Sequence, residues 1–216
     1  MTLSDSPESA TRPEGRNPFA FPSGIRGEFA GWLLARFNAE LNRKAIEWLA
    51  ITSTDRVLEI GFGPGVGLEL IATRADHGHV AGIDPSEVMM RQASHRNRSV
   101  IASGRLELRE GTAERLPWPS GSFDAVLSLN NILLWNPLAS GLAEVGRVLR
   151  PEGRLLVGLH AWAARGESRR GHGSLGEVSR DLSSALVGAG FVNVRFEVVS
   201  VPIGHALLLL AFRPGV

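Results

Sequence analysis

An apolar strand that runs into alternating glycines and reopens as a helix leaves a chain few architectures to adopt, and residues 57–74 read this way. Val57, Leu58 and Ile60 form the apolar run of a buried strand, and Val66 to Arg74 carries apolar residues at helical spacing. Between them, Gly61, Gly63 and Gly65 supply a backbone that can bend sharply and approach a ligand without Cβ atoms in the way. A strand has no need of glycine for itself. The turn therefore belongs at the carboxyl edge of a sheet, where open α/β folds bind ligands. A tight turn with no ligand is the plainer reading of the same glycines.

Spacing separates the ligands that such turns serve. A dinucleotide fingerprint requires G-x-G-x-x-G, but counting from Gly61 puts Val66 at the third glycine, and counting from Gly63 puts Leu68 there. The phosphate-binding G-x-x-x-x-G-K-[ST] fails because no Lys follows any of these glycines. What remains is E-x-G-x-G-x-G, with Glu59 two residues before Gly61. This pattern resembles motif I of the class I S-adenosylmethionine-dependent methyltransferases, small-molecule enzymes of the ubiquinone and menaquinone type in particular.

The resemblance keeps its order along the chain. His79 to Asp84 reads as a second strand ending in a carboxylate, and Gly111 to Pro119 as the loop that walls the adenine. Ser122 to Ser128 is similar to the family's fourth strand, and Leu149 to Val157 to its turn and fifth strand. Several motifs in register over residues 45 to 213 are more specific than one glycine loop.

From residue 55 onward, alternating strand and helix patterns predict an α/β doubly wound sheet. Strands are placed near 56–60, 79–83, 105–109, 123–128 and 154–159, and helices near 65–74, 85–96, 137–149 and 175–188. Gly188-Ala189-Gly190 stops the last helix; Phe191 to Ser200 and His205 to Phe212 then read as strands joined by Pro202-Ile203-Gly204. The resemblance implies a Rossmann-like seven-stranded sheet with the last strand antiparallel, preceded by an amino-terminal helical cap. Residues 1–24, rich in Ser, Pro, Glu, Gly and Arg, read as a flexible segment, and 25–216 as one domain. Within it, 25–50 form the cap and 51–216 the cofactor-binding core. Phe29, Trp32, Leu33, Phe37, Leu41, Ala45 and Trp48 fall at spacings of three and four across the cap. That stripe packs on the sheet or lends an aromatic ring to a substrate.

Composition narrows the partners. With 23 basic and 22 acidic residues the formal charge is +1, so no extended nucleic-acid surface is expected. The absence of cysteine excludes disulfides, thiolate metal sites and a thiol nucleophile. No metal is expected, since nothing resembles the paired carboxylates of catechol-type methyltransferases. The polar amino end and the short apolar run Ala206 to Phe212 predict neither a signal peptide nor a membrane span, and the cytoplasm is the expected compartment. Transient lipid contact stays open, as do monomer and homodimer.

Each site residue then takes an expected role. The resemblance implies that Gly61, Phe62, Gly63 and Gly65 surround the methionine portion of S-adenosylmethionine, with S-adenosylhomocysteine as product. The helix that follows offers amide donors to the carboxylate, and Glu59 organises the same end of the cofactor. Asp84 suits the vicinal ribose hydroxyls as a bidentate acceptor; its alternative is to cap a helix that starts at Pro85. Pro85 and Met89 pack on adenine, and Thr112, Ala113 and Glu114 border its exocyclic edge. Many relatives carry Asp where Thr112 stands, so the amine meets a weaker acceptor or shifts to Glu114.

Methyl transfer asks the protein to hold a nucleophile in line with the methyl group and exclude water. A base is needed only when the nucleophile carries a proton. Asn130 is expected to offer its carbonyl to the cofactor's amino group, and Asn131 and His160 are the catalytic candidates. His160, with an ordinary pKa near 6.5, is a base or a structural hydrogen-bonding residue. Trp135, Arg165 and Arg169 are candidates for substrate binding. The last two lie in the polar stretch from Ala161 to Ser174, with Arg170 and His172, which reads as a lid or a solvated loop. The preferred function is methyl transfer to O, N or C of a small molecule by in-line displacement. A non-catalytic S-adenosylmethionine-binding sensor or partner subunit is the alternative, and an NAD-linked reductase a distant third.

Overall fold

A computed structural model describes residues 38–166, 174–202 and 204–215. Helix α1 covers residues 38–49. It is followed by β1 (Arg56–Ile60), α2 (Val66–Arg74), β2 (His79–Asp84), α3 (Glu87–Arg96), α4 (Arg98–Ala102) and β3 (Leu106–Glu110). Next come β4 (Phe123–Leu129), one 3-10 turn (Ile132–Leu134), α5 (Leu138–Val148), β5 (Leu149–His160) and α6 (Ala161–Gly166). The chain closes with α7 (Leu175–Gly188), β6 (Val192–Val201) and β7 (Gly204–Phe212).

The seven strands lie in the order β3-β2-β1-β4-β5-β7-β6. Pairings from β3 to β5 are parallel, and β7 runs antiparallel to both β5 and β6. The chain crosses from one half of the sheet to the other between β1 and β4, and such a switch opens a crevice at the strands' carboxyl ends. Strand alternation divides the apolar residues between two layers. Leu58 and Ile60 face a core completed by α5 and α7, whereas Val57 faces one completed by α1, α2 and α3. Because α1 buries Leu41, Ala45, Ile46 and Leu49, the described part of the amino-terminal cap is a packing element. Phe29, Trp32, Leu33 and Phe37 lie outside the described residues.

Boundaries differ from the sequence reading where local chemistry decided them. Helix α3 starts at Glu87 because Ser86 is its N-cap, its Oγ accepting from the Met89 amide at 3.4 Å. Strand β5 begins at Leu149 and includes the turn around Glu152, which has a φ of 63°. Helices α4 and α6 were not expected; α6 occupies the first residues of the stretch read as a loop. Arg169, Arg170 and His172 lie outside the described residues, as does Ile203 in the hairpin turn. Among the described residues no helix is long and apolar enough to cross a membrane.

Candidate functional site

The three glycines of the turn after β1 are required for different reasons. A Cβ on Gly61 would sit 2.4 Å from the Asn131 Nδ2, and one on Gly65 would sit 2.9 Å from the Ala93 Cα. Around Gly63 a Cβ would meet nothing within 4 Å, so its missing side chain is the one that opens onto free space. All three have positive φ, of 68°, 53° and 80° in turn. A side chain at Gly61 or Gly65 would thus collide with protein, whereas one at Gly63 would project into open space. Phe62 is also turned inward, with its ring against Gly82 in the core.

Hydrogen bonds from β2 and α3 fix the turn. Gly61 donates its amide to Ile83 O at 2.8 Å, and Gly63 donates to Asp84 Oδ2 at 2.9 Å. The other Asp84 oxygen accepts from the Ser86 amide at 2.9 Å. Asp84 thus links two loops and does not cap α3, which corrects the capping alternative. Each of its oxygens still has a lone pair to offer. At the far side, Asn97 Nδ2 donates to Gly65 O at 3.0 Å. Sequence reasoning missed Asn97, since an Asn at a helix end ordinarily signals only a stop.

Two carboxyls share this corner. Glu59 is fully enclosed, and burial, reinforced by the Asp84 charge, pushes its pKa up to about 8 against the Leu68 amide. Its Oε2 is buried and has no hydrogen-bond partner among the described residues. A Cβ on Gly67 would lie 2.2 Å from Glu59 Oε1, so α2 approaches this acid only through a fourth glycine. Burial likewise raises Asp84, opposed by the Gly63 and Ser86 amides.

Residues expected along the adenine edge are split by burial. Pro85 and Thr112 are exposed, whereas Met89 and Ala113 are packed in the two cores. The Met89 side chain is thereby spent on the α3 interface, because helical periodicity turns it inward with Val88 and Ala93. Glu114 Oε1 accepts from the Asn136 amide at 2.6 Å, tying this loop to the one after β4. Below it, Glu144 accepts from the Leu116 amide at 2.8 Å, and Arg147 donates to Leu116 O and Trp118 O.

Beyond β4 the two asparagines diverge. Asn131 Nδ2 donates to Ile60 O at 2.7 Å and to Leu129 O at 3.0 Å, while its Oδ1 accepts from Ser128 Oγ and Trp135 Nε1. Its carboxamide is committed to holding the β1 turn against β4, which leaves it no group for chemistry. Trp135 is buried in the core, its ring against Gly141. Asn130, at a φ of 58°, accepts from the His160 amide at 2.8 Å and donates to Asn38 Oδ1 of α1 at 3.1 Å. Its side-chain carbonyl therefore serves β5.

His160 is fully buried and its ring stacks on Trp162, centroids 5.5 Å apart. Burial lowers its pKa, so the ordinary value assumed from sequence is corrected. The His160 amide can only donate, so the Asn130 atom that it meets is the oxygen. Ring Nδ1 lies 3.3 Å from that same oxygen and must carry the proton, leaving a lone pair on Nε2. Nε2 is buried without a partner among the described residues. Arg165 lies in α6, and its side chain is outside the described residues, as is Arg169. The described residues hold no group of three or more His, Cys, Asp or Glu placed to bind a metal ion.

Known proteins resemble this chain in sequence and in fold. A family model described as a methyltransferase domain matches residues 58–157, from β1 into β5. An uncharacterized methyltransferase, YdaC of Bacillus subtilis, is 35% identical over 186 residues, spanning 86% of this chain and 98% of its own. Erythromycin 3''-O-methyltransferase of Saccharopolyspora erythraea is 31% identical over 125 residues, 58% of this chain and 41% of its own. Among solved structures, a SAM-dependent methyltransferase from Aquifex aeolicus superposes with a TM-score of 0.65 at 21% identity. The match covers 83% of this chain and 92% of that one.

Proposed function

Because the chain belongs to the class I S-adenosylmethionine-dependent methyltransferases, we propose that it methylates a small molecule at a protic oxygen or nitrogen, with the cofactor seated on the Gly63 turn. The carrying observation is the open space at Gly63 beside two buried acids, Glu59 and Asp84, one of which has an unsatisfied oxygen. These residues fit an amino-acid adenosyl ligand: a bare main chain for close approach, the unpaired Glu59 oxygen for its amino group and the Asp84 carboxyl for its sugar hydroxyls. When bound, the cofactor supplies a methyl group on an electrophilic sulfonium.

The chain's own residues divide the remaining work. Glu59 holds the methionine end, and Asp84 accepts from ribose hydroxyls through the lone pairs left free by Gly63 and Ser86. Exposed Pro85 offers an apolar face to adenine, with Thr112 and the Ala113 and Glu114 backbone along its edge. His160, neutral and with Nε2 unprotonated, accepts the proton that an O–H or N–H acceptor gives up on in-line displacement. A small-molecule acceptor is also what the erythromycin methyltransferase relative acts on.

Titration calorimetry with S-adenosylmethionine and S-adenosylhomocysteine, followed by a screen of hydroxylated and amine metabolites with labelled methyl donor, tests the reading. Cofactor binding with turnover of at least one such metabolite is expected. Binding with label found only on protein or nucleic acid would overturn the small-molecule assignment.

A further inference from the structure

Strand β6 ends the sheet, and its outer edge is an unusual one. Its sequence, VNVRFEVVSV, places Val194, Phe196 and Val198 on the α7 face and Arg195, Glu197 and Val199 on the α1 face. Phe196 is 51% exposed and Val198 45%. Soluble proteins protect a terminal strand with Lys, Pro or a bulge, since unpaired amides and carbonyls beside apolar side chains invite another strand. Here the ladder is irregular only between Val192 and Arg195, the strand holds no Lys or Pro, and its only charges are Arg195 and Glu197.

The charge pattern identifies the occupant. Two copies of a strand related by a two-fold axis normal to the sheet pair antiparallel, with like faces together, and the axis passes through one residue. An axis at Arg195 would set Arg195 against its own copy, and one at Glu197 would set Glu197 against its own copy. With the axis at Phe196, Arg195 of each copy faces Glu197 of the other. The same register brings Phe196 against Phe196 and Val194 against Val198 on the α7 face. Among registers that place charge against charge, this alone pairs opposites, and cross-strand pairs of this kind stabilise a ladder. Glu197 has no ion-pair partner among the described residues, and the Arg195 guanidinium, over the Phe212 ring at 5.9 Å, stays on the α1 face.

We propose that β6 is a homodimerisation edge: two copies of this chain join antiparallel about Phe196 into one continuous sheet. Methyl-transfer chemistry does not enter the argument, so the two proposals fail separately.

Sedimentation of the full-length chain against concentration tests it, with R195E, E197R and their mixture. The native chain is expected to dimerise, and each variant alone to be monomeric at the same concentration. R195E carries two acids at this edge and E197R two bases, so mixing them should restore a heterodimer. Circular dichroism and a cooperative thermal melt of each variant report that it is folded. A native chain that stays monomeric overturns the proposal, as does a dimer that survives both single substitutions. Hydrogen exchange at β6 adds a further arm: protection that rises with concentration supports pairing between copies. Protection independent of concentration would mean that another part of the same chain covers the edge, and would overturn it.

Discussion

The Gly63 amide and the Asp84 carboxylate are joined at 2.9 Å, so the turn that leaves β1 is held by the residue that ends β2. Parallel pairing of Ile60 with Ile83 brings the two strand ends level, and the side chain then only has to reach sideways. One acid thus shapes the turn from the end of the neighbouring strand. Asp84→Ala should weaken S-adenosylhomocysteine binding by roughly 10- to 100-fold, since a charge-assisted bond and a ribose acceptor are both lost. Calorimetry reads this directly, and unchanged affinity would remove Asp84 from the cofactor site.

The contrast between Gly61 and Gly63 gives a second expectation. Gly61→Ala puts a methyl into Asn131 at positive φ and should cost about 1 to 3 kcal/mol, with a matching fall in Tm. Gly63→Ala meets open space and should cost about 1 to 2 kcal/mol for the left-handed backbone alone. Yet it should lose more cofactor affinity than Gly61→Ala does. Thermal melts paired with calorimetry separate the two, and equal effects would contradict the division of labour between these glycines.

Glu59 links stability to pH. Its folded pKa of about 8 stands above the ordinary 4.5, so the folded state keeps a proton that the unfolded chain releases. Stability from this group is present in full below pH 4.5, declines as pH rises from there to about 8, and then levels. Burial raises Asp84 as well, so the native slope has two sources. Glu59→Gln imitates the protonated form and should flatten its share, leaving the variant several degrees more stable than the native chain above pH 8, on the order of the usual Tm response to a few kcal/mol. Parallel melting curves for the two proteins across this range would refute it.

His160 should leave its mark on the rate and not on cofactor binding. Its neutral form is the proton acceptor, so kcat should fall toward acid with an apparent pKa below 6.5, in the direction that burial imposes. His160→Gln should reduce kcat about 10²- to 10⁴-fold, abolish the acid limb and leave S-adenosylmethionine affinity within error. Retention of the limb would assign it to another group and leave His160 a structural role.

Much of this site is legible without a structure because its determinants are local. The alternation of Gly61, Gly63 and Gly65, the acid before them and the acid closing the next strand mark a ligand edge by spacing alone, and the family resemblance rests on the same residues. Less legible were Asn131, Trp135 and Met89, which look like site residues in the chain and are packed or bonded away in the fold. A polar side chain near a strand end can serve chemistry or brace a turn. Only its partners distinguish these uses, and the partners of Asn131 lie as far off as Ile60.

By itself, then, the order of residues determined the alternation of a doubly wound sheet, the two strands that close the chain and the glycine turn after β1, since hydrophobic period and glycine placement act over a few neighbouring residues; the antiparallel place of the last strand came from the family resemblance. Tertiary structure decided which glycine faces open space, that burial raises the Glu59 pKa to about 8, that Asn130 sets the tautomer of His160, and that β6 ends the sheet. Each of these depends on distances between segments far apart in the chain, and burial and hydrogen bonding take their values only once those segments are packed.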